Sequence, residues 1–247
     1  MEWKNYYLDI VLVPLGLSTG LLYHLWLWHK VRTQPFQTTL GINHAGQRLW
    51  VLSMMKALFL IALLDEKKNI LAVQSIRNSI MGTTLMATTT ILLTAALAAV
   101  LSSTYSIKKP MSDTVYGGHG ERMLIIKYVT ILFFFLFTFL CYTLSVRFIS
   151  QVNFLINVPC DGDDTTGLTP THVCDLMSKA STLNVVGNRL FYTSLPLLMW
   201  IIGPLLVFLS SVLVVPILYN LDFVYGSDEK KKKKEDYGEM ISFNTSV

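Results

Sequence analysis

The sequence is poor in charge, since only 15% of its 247 residues are Asp, Glu, Lys or Arg, against about 25% in a soluble domain. Hydrophobic residues make up 52% and lie in blocks as long as a bilayer is thick, which a soluble core does not need. The formal net charge of +4 gives no basic face for a polyanion. These features exclude a secreted disulfide scaffold, a disordered chain and a nucleic-acid-binding domain. We predict an integral membrane protein whose partner is the lipid bilayer.

Catalytic and metal-binding motifs are also missing from the sequence. It contains no H-E-x-x-H, G-x-S-x-G or Walker-type loop. The five histidines show no ligand spacing, and the one pairing with a carboxylate, His119 with Glu121 in a glycine-rich turn, has too few ligands for a metal site. We therefore expect a non-enzymatic protein with no catalytic residue, no metal and no cofactor.

Four apolar stretches are long enough to be membrane-spanning helices. They lie at 10–28, 80–101, 123–144 and within 190–221. The last has 32 uncharged residues, more than a ~30 Å hydrocarbon core needs, so Pro196 is expected in its first turn, Gly203-Pro204 at a kink and Pro216 at its exit. The pattern predicts an all-α polytopic transmembrane helix bundle over 1–226, followed by a charged, disordered tail over 227–247.

A fifth candidate span covers 49–64, which is short and carries Lys56 near its middle. Spanning, interfacial and re-entrant interpretations of this stretch all stay open. With four spans the Lys and Arg residues divide nine against ten between the two sides, and with five they divide eleven against seven. The five-span count favours a cytosolic C-terminal tail, in the plasma membrane or an endomembrane.

Three cysteines are too few for a disulfide framework. Cys141 lies in an apolar block and is interpreted as packing. Cys160 and Cys174 flank an acidic loop, which the five-span arrangement places outside the cytosol. They form a disulfide if that arrangement holds, and are two free thiols if the loop is cytosolic.

Two faces of small residues are candidates for helix packing or for a solute pathway. Gly16 and Gly20 lie four apart in the first span, and His24 continues that face. A second stripe has three- and four-residue spacing: Thr83, Ala87, Thr90, Thr94 and Ala98. Its hydroxyls either line a pathway or donate to their own backbone while the helix packs. We predict that the protein forms homo-oligomers through one of these faces.

Two similar pairs of residues precede the second and fourth spans: Arg77 with Asn78, and Asn188 with Arg189. Each is a candidate clamp for an anion or a lipid head group, because guanidinium binds phosphate with two hydrogen bonds. The alternative is an anchor that fixes helix depth. Lys127, one turn inside the third span, is expected to snorkel to the interface.

Several long motifs resemble the plant branch of a multi-pass membrane family known as domain of unknown function 599. They are HLWLWHKVRTQP at 24–35, NILAVQSIRNSIMGTT at 69–84, YGGHGE at 116–121, VRFISQVNFLIN at 146–157 and GNRLFY at 187–192. The resemblance implies a plant membrane protein and implies no activity. One departure is the apolar octet at 57–64, where relatives pass directly to an acidic, lysine-containing run.

The leading functional hypothesis is a self-associating, non-enzymatic membrane scaffold. The first alternative is a channel or transporter for a small solute or ion, which would use the threonine stripe and the Gly203-Pro204 break. The second is a lipid-modifying enzyme, for which only His119, Glu121 and the two Arg-Asn pairs offer interfacial groups.

Overall fold

The computed structural model describes the backbone of residues 2–60, 66–107, 121–158 and 169–224, and the side chains of 8–55, 70–103, 123–158 and 169–224. Within these ranges the chain forms six α-helices and no strand. They are α1 Glu2–Thr33, α2 Thr39–Leu60, α3 Glu66–Ile107, α4 Glu121–Leu155, α5 Pro170–Leu198 and α6 Pro204–Asp222. The all-α prediction is confirmed.

Four segments of these helices are long and apolar enough to span a membrane: Leu8–Thr33, Ile70–Ser103, Met123–Leu155 and Pro204–Asp222. The predicted multi-pass membrane protein is therefore confirmed. A backbone in lipid must satisfy its own hydrogen bonds, which is why such uncharged blocks become helices. The 42 residues of α3 measure about 63 Å at 1.5 Å per residue, roughly twice a ~30 Å hydrocarbon core. The longest helices therefore extend well beyond the membrane.

α1 and α6 run in the same direction. Near the start of α1, Asp9 accepts a hydrogen bond from Trp200, just before α6 begins. Near its middle, Gly16 lies beside Ser211. Farther on, Tyr23 donates to Asp222, the last residue of α6. The ends of α1 and α6 therefore lie at the same end of the bundle, where an isolated bridge joins Thr38 and Phe223.

α5 runs antiparallel to α4. The rings of Phe135 and Phe191 are 6.3 Å apart, and farther along Ser145 donates to the Ala180 carbonyl at 2.7 Å. The second half of α5 thus lies beside the membrane-spanning part of α4. Asp175, Lys179 and Arg189 lower the hydropathy of α5, so hydropathy does not identify this helix as a span.

A second hydrophobic core lies at the end of the bundle where α1 and α6 finish. It combines α2, the start of α3, the end of α4 and the first half of α5. Its buried residues are Val51, Met55, Ile76, Ile149, Val152, Ile156, Val173, Cys174, Leu176 and Ala180. Burying these apolar side chains together holds the four helix segments against one another.

The predicted fourth span is confirmed as α6, Pro204–Asp222, and the kink predicted at Gly203-Pro204 is a break between α5 and α6. A 3₁₀ turn, Met199–Ile201, follows α5, and α6 begins at Pro204. Pro204 suits the first position of a helix because that position needs no N–H donor. Pro196 lies inside α5, and Pro216 lies inside α6.

The structure describes only part of the candidate fifth span over 49–64. Residues 49–60 are the second half of α2, and 61–64 lie outside the described residues. α2 is not among the described helices that qualify as spans, and its sequence includes Arg48 and Lys56. No separate spanning helix is found in this part of the described chain.

Candidate functional site

A buried cluster of charges joins α1, α5 and α6. Arg189 Nη2 donates to Asp222 Oδ1, and the Tyr23 hydroxyl donates to Asp222 Oδ2 at 2.5 Å. Asp222 is 2% exposed. The other guanidinium nitrogen, Arg189 Nη1, is buried and has no hydrogen-bond partner among the described residues. Arg189 therefore has one nitrogen that holds a carboxylate and one that is free to bind a ligand oxygen.

A cavity of about 800 Å³ lies beside this cluster, between α1 and α5. Most of its lining is apolar, and six polar side chains contribute to it: Ser18, His24, His44, Thr182, Arg189 and Thr193. Leu21 and Trp28 line the cavity and are also exposed, so it opens on the outer surface of the bundle. Its volume lies within the ~300–1,000 Å³ range of small-molecule sites.

Two glycines of α1 differ in their surroundings: Gly16 lies where α1 packs closely on α6, and Gly20 lies beside the cavity. A Cβ on Gly16 would lie 3.2 Å from Ser211 Oγ and 3.4 Å from Phe208 Cα, so α1 packs closely on α6 there. A Cβ on Gly20 would meet nothing within 4 Å, and Gly20 lines the cavity. His24, predicted on the same face, also lines it.

A second buried charge cluster lies near the start of α1. Lys127 Nζ is 3.5 Å from Asp9 Oδ1, and Trp200 Nε1 donates to the same oxygen at 2.8 Å. Asp9 and Lys127 are each 1% exposed, so the expectation that Lys127 snorkels to the interface is wrong. The cluster connects α1, α4 and the turn between α5 and α6.

The threonine stripe of α3 faces the inside of the chain over most of its length. Thr83, Ala87, Thr90 and Thr94 are buried, whereas Ala98 is exposed. The hydroxyls donate to carbonyls of α3 itself: Thr83 to Ser79, Thr90 to Ala87 and Thr94 to Thr90, at 2.7–2.9 Å. Since these donors are already used, the geometry favours packing over a solute pathway.

The two Arg-Asn pairs lie in different environments. Arg77 and Asn78 are exposed on α3. Asn188 accepts a hydrogen bond from the Tyr142 hydroxyl at 2.7 Å, and the preceding Gly187 lies against the Tyr142 ring. The pair on α5 is therefore positioned by its neighbours, and Arg189 is the member that reaches the cavity.

The predicted disulfide cannot be traced, because Cys160 lies outside the described residues. Cys174 is a buried free cysteine whose thiol donates to the Arg48 carbonyl at 3.8 Å. The helix ends that flank Cys160 in the sequence, those of α4 and α5, lie at the same end of the bundle as the end of α6. His119 is outside the described residues, as is the side chain of Glu121.

Sequence reasoning missed Asp9, Tyr23, Trp200 and Asp222. A signal for the two acids was present, since Asp9 directly precedes the first apolar stretch and Asp222 directly follows the last one. The sequence does not show which cations these two acids contact. The packing of the helices places Asp9 beside Lys127 and Asp222 beside Arg189. The part of the chain that the structure describes holds no group of three or more side chains able to bind a metal.

Comparison with known proteins gives the family of the chain. No curated protein and no solved structure matches it. A family model does match residues 11–227, which include the cavity and the Arg189–Asp222 pair. The chain therefore belongs to the family described as protein of unknown function, DUF599.

Proposed function

We propose that the protein binds an amphipathic molecule from the bilayer in the cavity between α1 and α5, without transforming it. The observation that carries the proposal is Arg189, which lines a mostly apolar cavity of about 800 Å³ and whose buried Nη1 has no hydrogen-bond partner among the described residues. Of the three hypotheses drawn from the sequence, this function is most similar to the channel or transporter for a small solute.

An unpartnered donor identifies where the polar end of the ligand would lie. Leaving a buried donor without a hydrogen bond costs about 1–3 kcal/mol, and a ligand oxygen on Arg189 Nη1 would remove that cost. Guanidinium prefers carboxylate and phosphate oxygens. Since Asp222 occupies Arg189 Nη2, Nη1 is the nitrogen left to donate to a ligand oxygen.

The remaining walls favour an apolar body on the same molecule. Pro14, Leu17 and Phe134 line one part of the cavity, and Val31 and Leu40 line another. The opening on the bundle surface would admit a molecule that is already dissolved in lipid. We therefore take oleate, a single chain with one carboxylate, as the probe.

Gly20→Leu is expected to weaken oleate binding at least ~10-fold, equivalent to about 1.4 kcal/mol, because the new side chain would occupy the cavity. Gly82→Leu is the matched control, since Gly82 is exposed on α3 with nothing within 4 Å of an added Cβ. Oleate is titrated into each protein in a nonionic detergent, and native mass spectrometry counts the bound molecules.

A second variant tests the polar contact. Arg189→Lys retains a cation for Asp222 and lacks the second nitrogen, so it should lose affinity for oleate and keep its affinity for oleyl alcohol. Equal oleate affinity in the wild type and Gly20→Leu would refute the proposal.

Self-association stays a prediction, and its candidate surface changes. Gly16 and the buried threonines already pack within the chain. The outward side of α3 carries another row of small residues, namely Thr84, Thr88, Ala95 and Ala99, all exposed. Close approach of a second copy along this row would replace lipid contact by helix packing. The same mass spectra give the subunit number, and a monomeric wild type at micromolar concentration would contradict the prediction.

We also propose that the end of the bundle where α1 and α6 finish is cytosolic. Toward the other end, Lys4 and Arg122 lie near the starts of α1 and α4, and Lys108 and Lys109 belong to the sequence that connects α3 to α4. Toward this end the helices carry ten positive residues, namely Lys30, Arg32, Arg48, Lys56, Lys67, Lys68, Arg77, Arg147, Lys179 and Arg189, and the five lysines at 230–234 follow α6 in the sequence. Cytoplasmic segments carry the excess of Lys and Arg. The membrane of residence and the plant origin likewise stay predictions.

Cysteine labelling tests this orientation. In a variant without the three native cysteines, a membrane-impermeant maleimide is expected to label Ser112→Cys, and not Ser242→Cys, from the non-cytosolic side of sealed membranes. With Cys160 as the sole cysteine, labelling should also fail, because its loop joins helices at the cytosolic end. Labelling of Ser242→Cys from the non-cytosolic side would reverse the assignment.

A further inference from the structure

A second cavity, of about 350 Å³, lies between α2 and α5. It lies at the end of the bundle where α1 and α6 finish, and its lining is far more polar than that of the first cavity. Its side chains include Gln47 and Arg48 from α2, and Cys174 and Asp175 from α5. His44 lines both cavities, so the two spaces adjoin.

Arg48 and Asp175 are exposed residues of opposite charge that line this cavity. Arg48 on α2 and Asp175 on α5 form no salt bridge with each other. Neither forms one with another residue in the described ranges, where the two salt bridges are those of Lys127 and Arg189. Gln47 Oε1 is buried and has no hydrogen-bond partner within the described chain. The cavity thus offers one cation, one carboxylate and one buried acceptor to a ligand.

We infer that this second cavity binds a small zwitterion, with its ammonium group on Asp175 and Gln47 Oε1 and its anionic oxygens on Arg48. An ammonium group has three donors and no acceptor, which suits a carboxylate and an amide oxygen. The Arg48 guanidinium suits a carboxylate or a phosphate. A plain anion would meet repulsion from Asp175 and a plain cation would meet repulsion from Arg48, so the two charges together select a molecule that carries both.

Because His44 lines both cavities, the zwitterion has two candidate sources. It is a free solute, or it is the head group of a lipid whose chain occupies the first cavity, and the second source rests on the function proposed above. O-phosphoethanolamine is the probe for the solute, and lysophosphatidylethanolamine, which carries the same group on one acyl chain, is the probe for the lipid.

Cys174 provides the measurement, because its thiol lines the cavity and is buried. In a Cys141→Ser/Cys160→Ser background, the rate of alkylation by iodoacetamide is followed by intact mass. Burial raises the pKa of the Cys174 thiol, so the reaction is run at alkaline pH. At a probe concentration about ten times its Kd, O-phosphoethanolamine is expected to slow alkylation about tenfold, because only the free protein reacts.

Ethanolamine and inorganic phosphate each carry one of the two charged groups of O-phosphoethanolamine and serve as half-probes. Each is expected to protect Cys174 from alkylation less than O-phosphoethanolamine does at equal concentration. Asp175→Asn and Arg48→Gln should remove this difference, whereas Arg77→Gln, an exposed arginine on α3, should leave it unchanged. The inference is overturned if O-phosphoethanolamine gives no protection, or if either half-probe protects equally well.

The Gly20→Leu variant distinguishes a free solute from a lipid head group as the source of the zwitterion. It also tests the ligand site of the first cavity separately from that of the second. If it removes protection by lysophosphatidylethanolamine and retains protection by O-phosphoethanolamine, the zwitterion is a lipid head group. If both probes protect Gly20→Leu as they protect the wild type, the zwitterion is a solute. Unchanged oleate binding in Gly20→Leu would refute the first cavity's function and leave the second cavity's zwitterion site standing.

Discussion

Lys127→Met is expected to lower the free energy of unfolding by about 1.5–3 kcal/mol, the usual contribution of a buried contact with a charged group, because it removes the Nζ that lies 3.5 Å from Asp9 Oδ1. Lys127 and Asp9 are each 1% exposed, so water does not replace the lost contact. The loss would also loosen the turn between α5 and α6, because Trp200 donates to the same Asp9 oxygen.

A double variant distinguishes charge imbalance from lost packing. Asp9→Asn keeps an oxygen that accepts from Trp200 Nε1 and carries no charge. The combination with Lys127→Met should therefore recover most of the lost stability, since removing both charges of a buried pair is often nearly neutral.

The measurement is a graded denaturant titration in detergent, followed by the helical signal. Lys179→Met, at an exposed position of α5, is the control and should change stability by no more than about 0.5 kcal/mol. If Lys127→Met and Lys179→Met unfold at the same midpoint, the ion pair contributes nothing to the fold.

Gly41→Ala is expected to destabilise the protein by about 1–3 kcal/mol or more, the cost of overpacking. Ordinarily this change within a helix stabilises by roughly 0.5–1 kcal/mol. Here the added Cβ would lie 2.1 Å from the Pro35 carbonyl oxygen and 2.6 Å from the carbonyl carbon. Because these are backbone atoms of the turn before α2, no side-chain rotation relieves the clash.

Gly46→Ala is the matched control for Gly41→Ala. It lies on the same helix with nothing within 4 Å of an added Cβ, so it should show the ordinary stabilising sign. Leu40, adjacent to Gly41, and His44 line the first cavity, so Gly41→Ala should also weaken oleate binding. Equal unfolding midpoints for the two alanine variants would show that α2 moves away from the turn at little cost.

The two buried charge clusters sit toward opposite ends of the spans and join the same helix to the rest of the bundle. Asp9 connects α1 to α4, and Tyr23 connects α1 to α6. Between them, α1 packs on α6 at Gly16 and stands apart from α5 at Gly20. A helix fixed at both ends can border an open cavity without collapsing into it, which is the property that a ligand site requires.

By itself the sequence determined the fold class and most of the membrane-spanning segments. The stretches at 10–28, 80–101 and 123–144 lie within helices that are long and apolar enough to span. The physical reason is local, because a block without charge that must satisfy its backbone in lipid becomes a helix wherever it lies in the chain. At 190–221 the Gly203-Pro204 pair marks the position of the break, but hydropathy does not show that the apolar residues before it belong to α5.

Only the tertiary structure decided which polar groups meet. Tyr23 and Asp222 are 199 residues apart, and Asp9 and Trp200 are 191 apart, so no spacing in the sequence links them. A pattern of apolar residues reports the burial of each helix face and carries no information on which helix covers it. The parallel packing of α1 on α6 brings these groups together, and the same packing leaves the cavity beside Arg189 open.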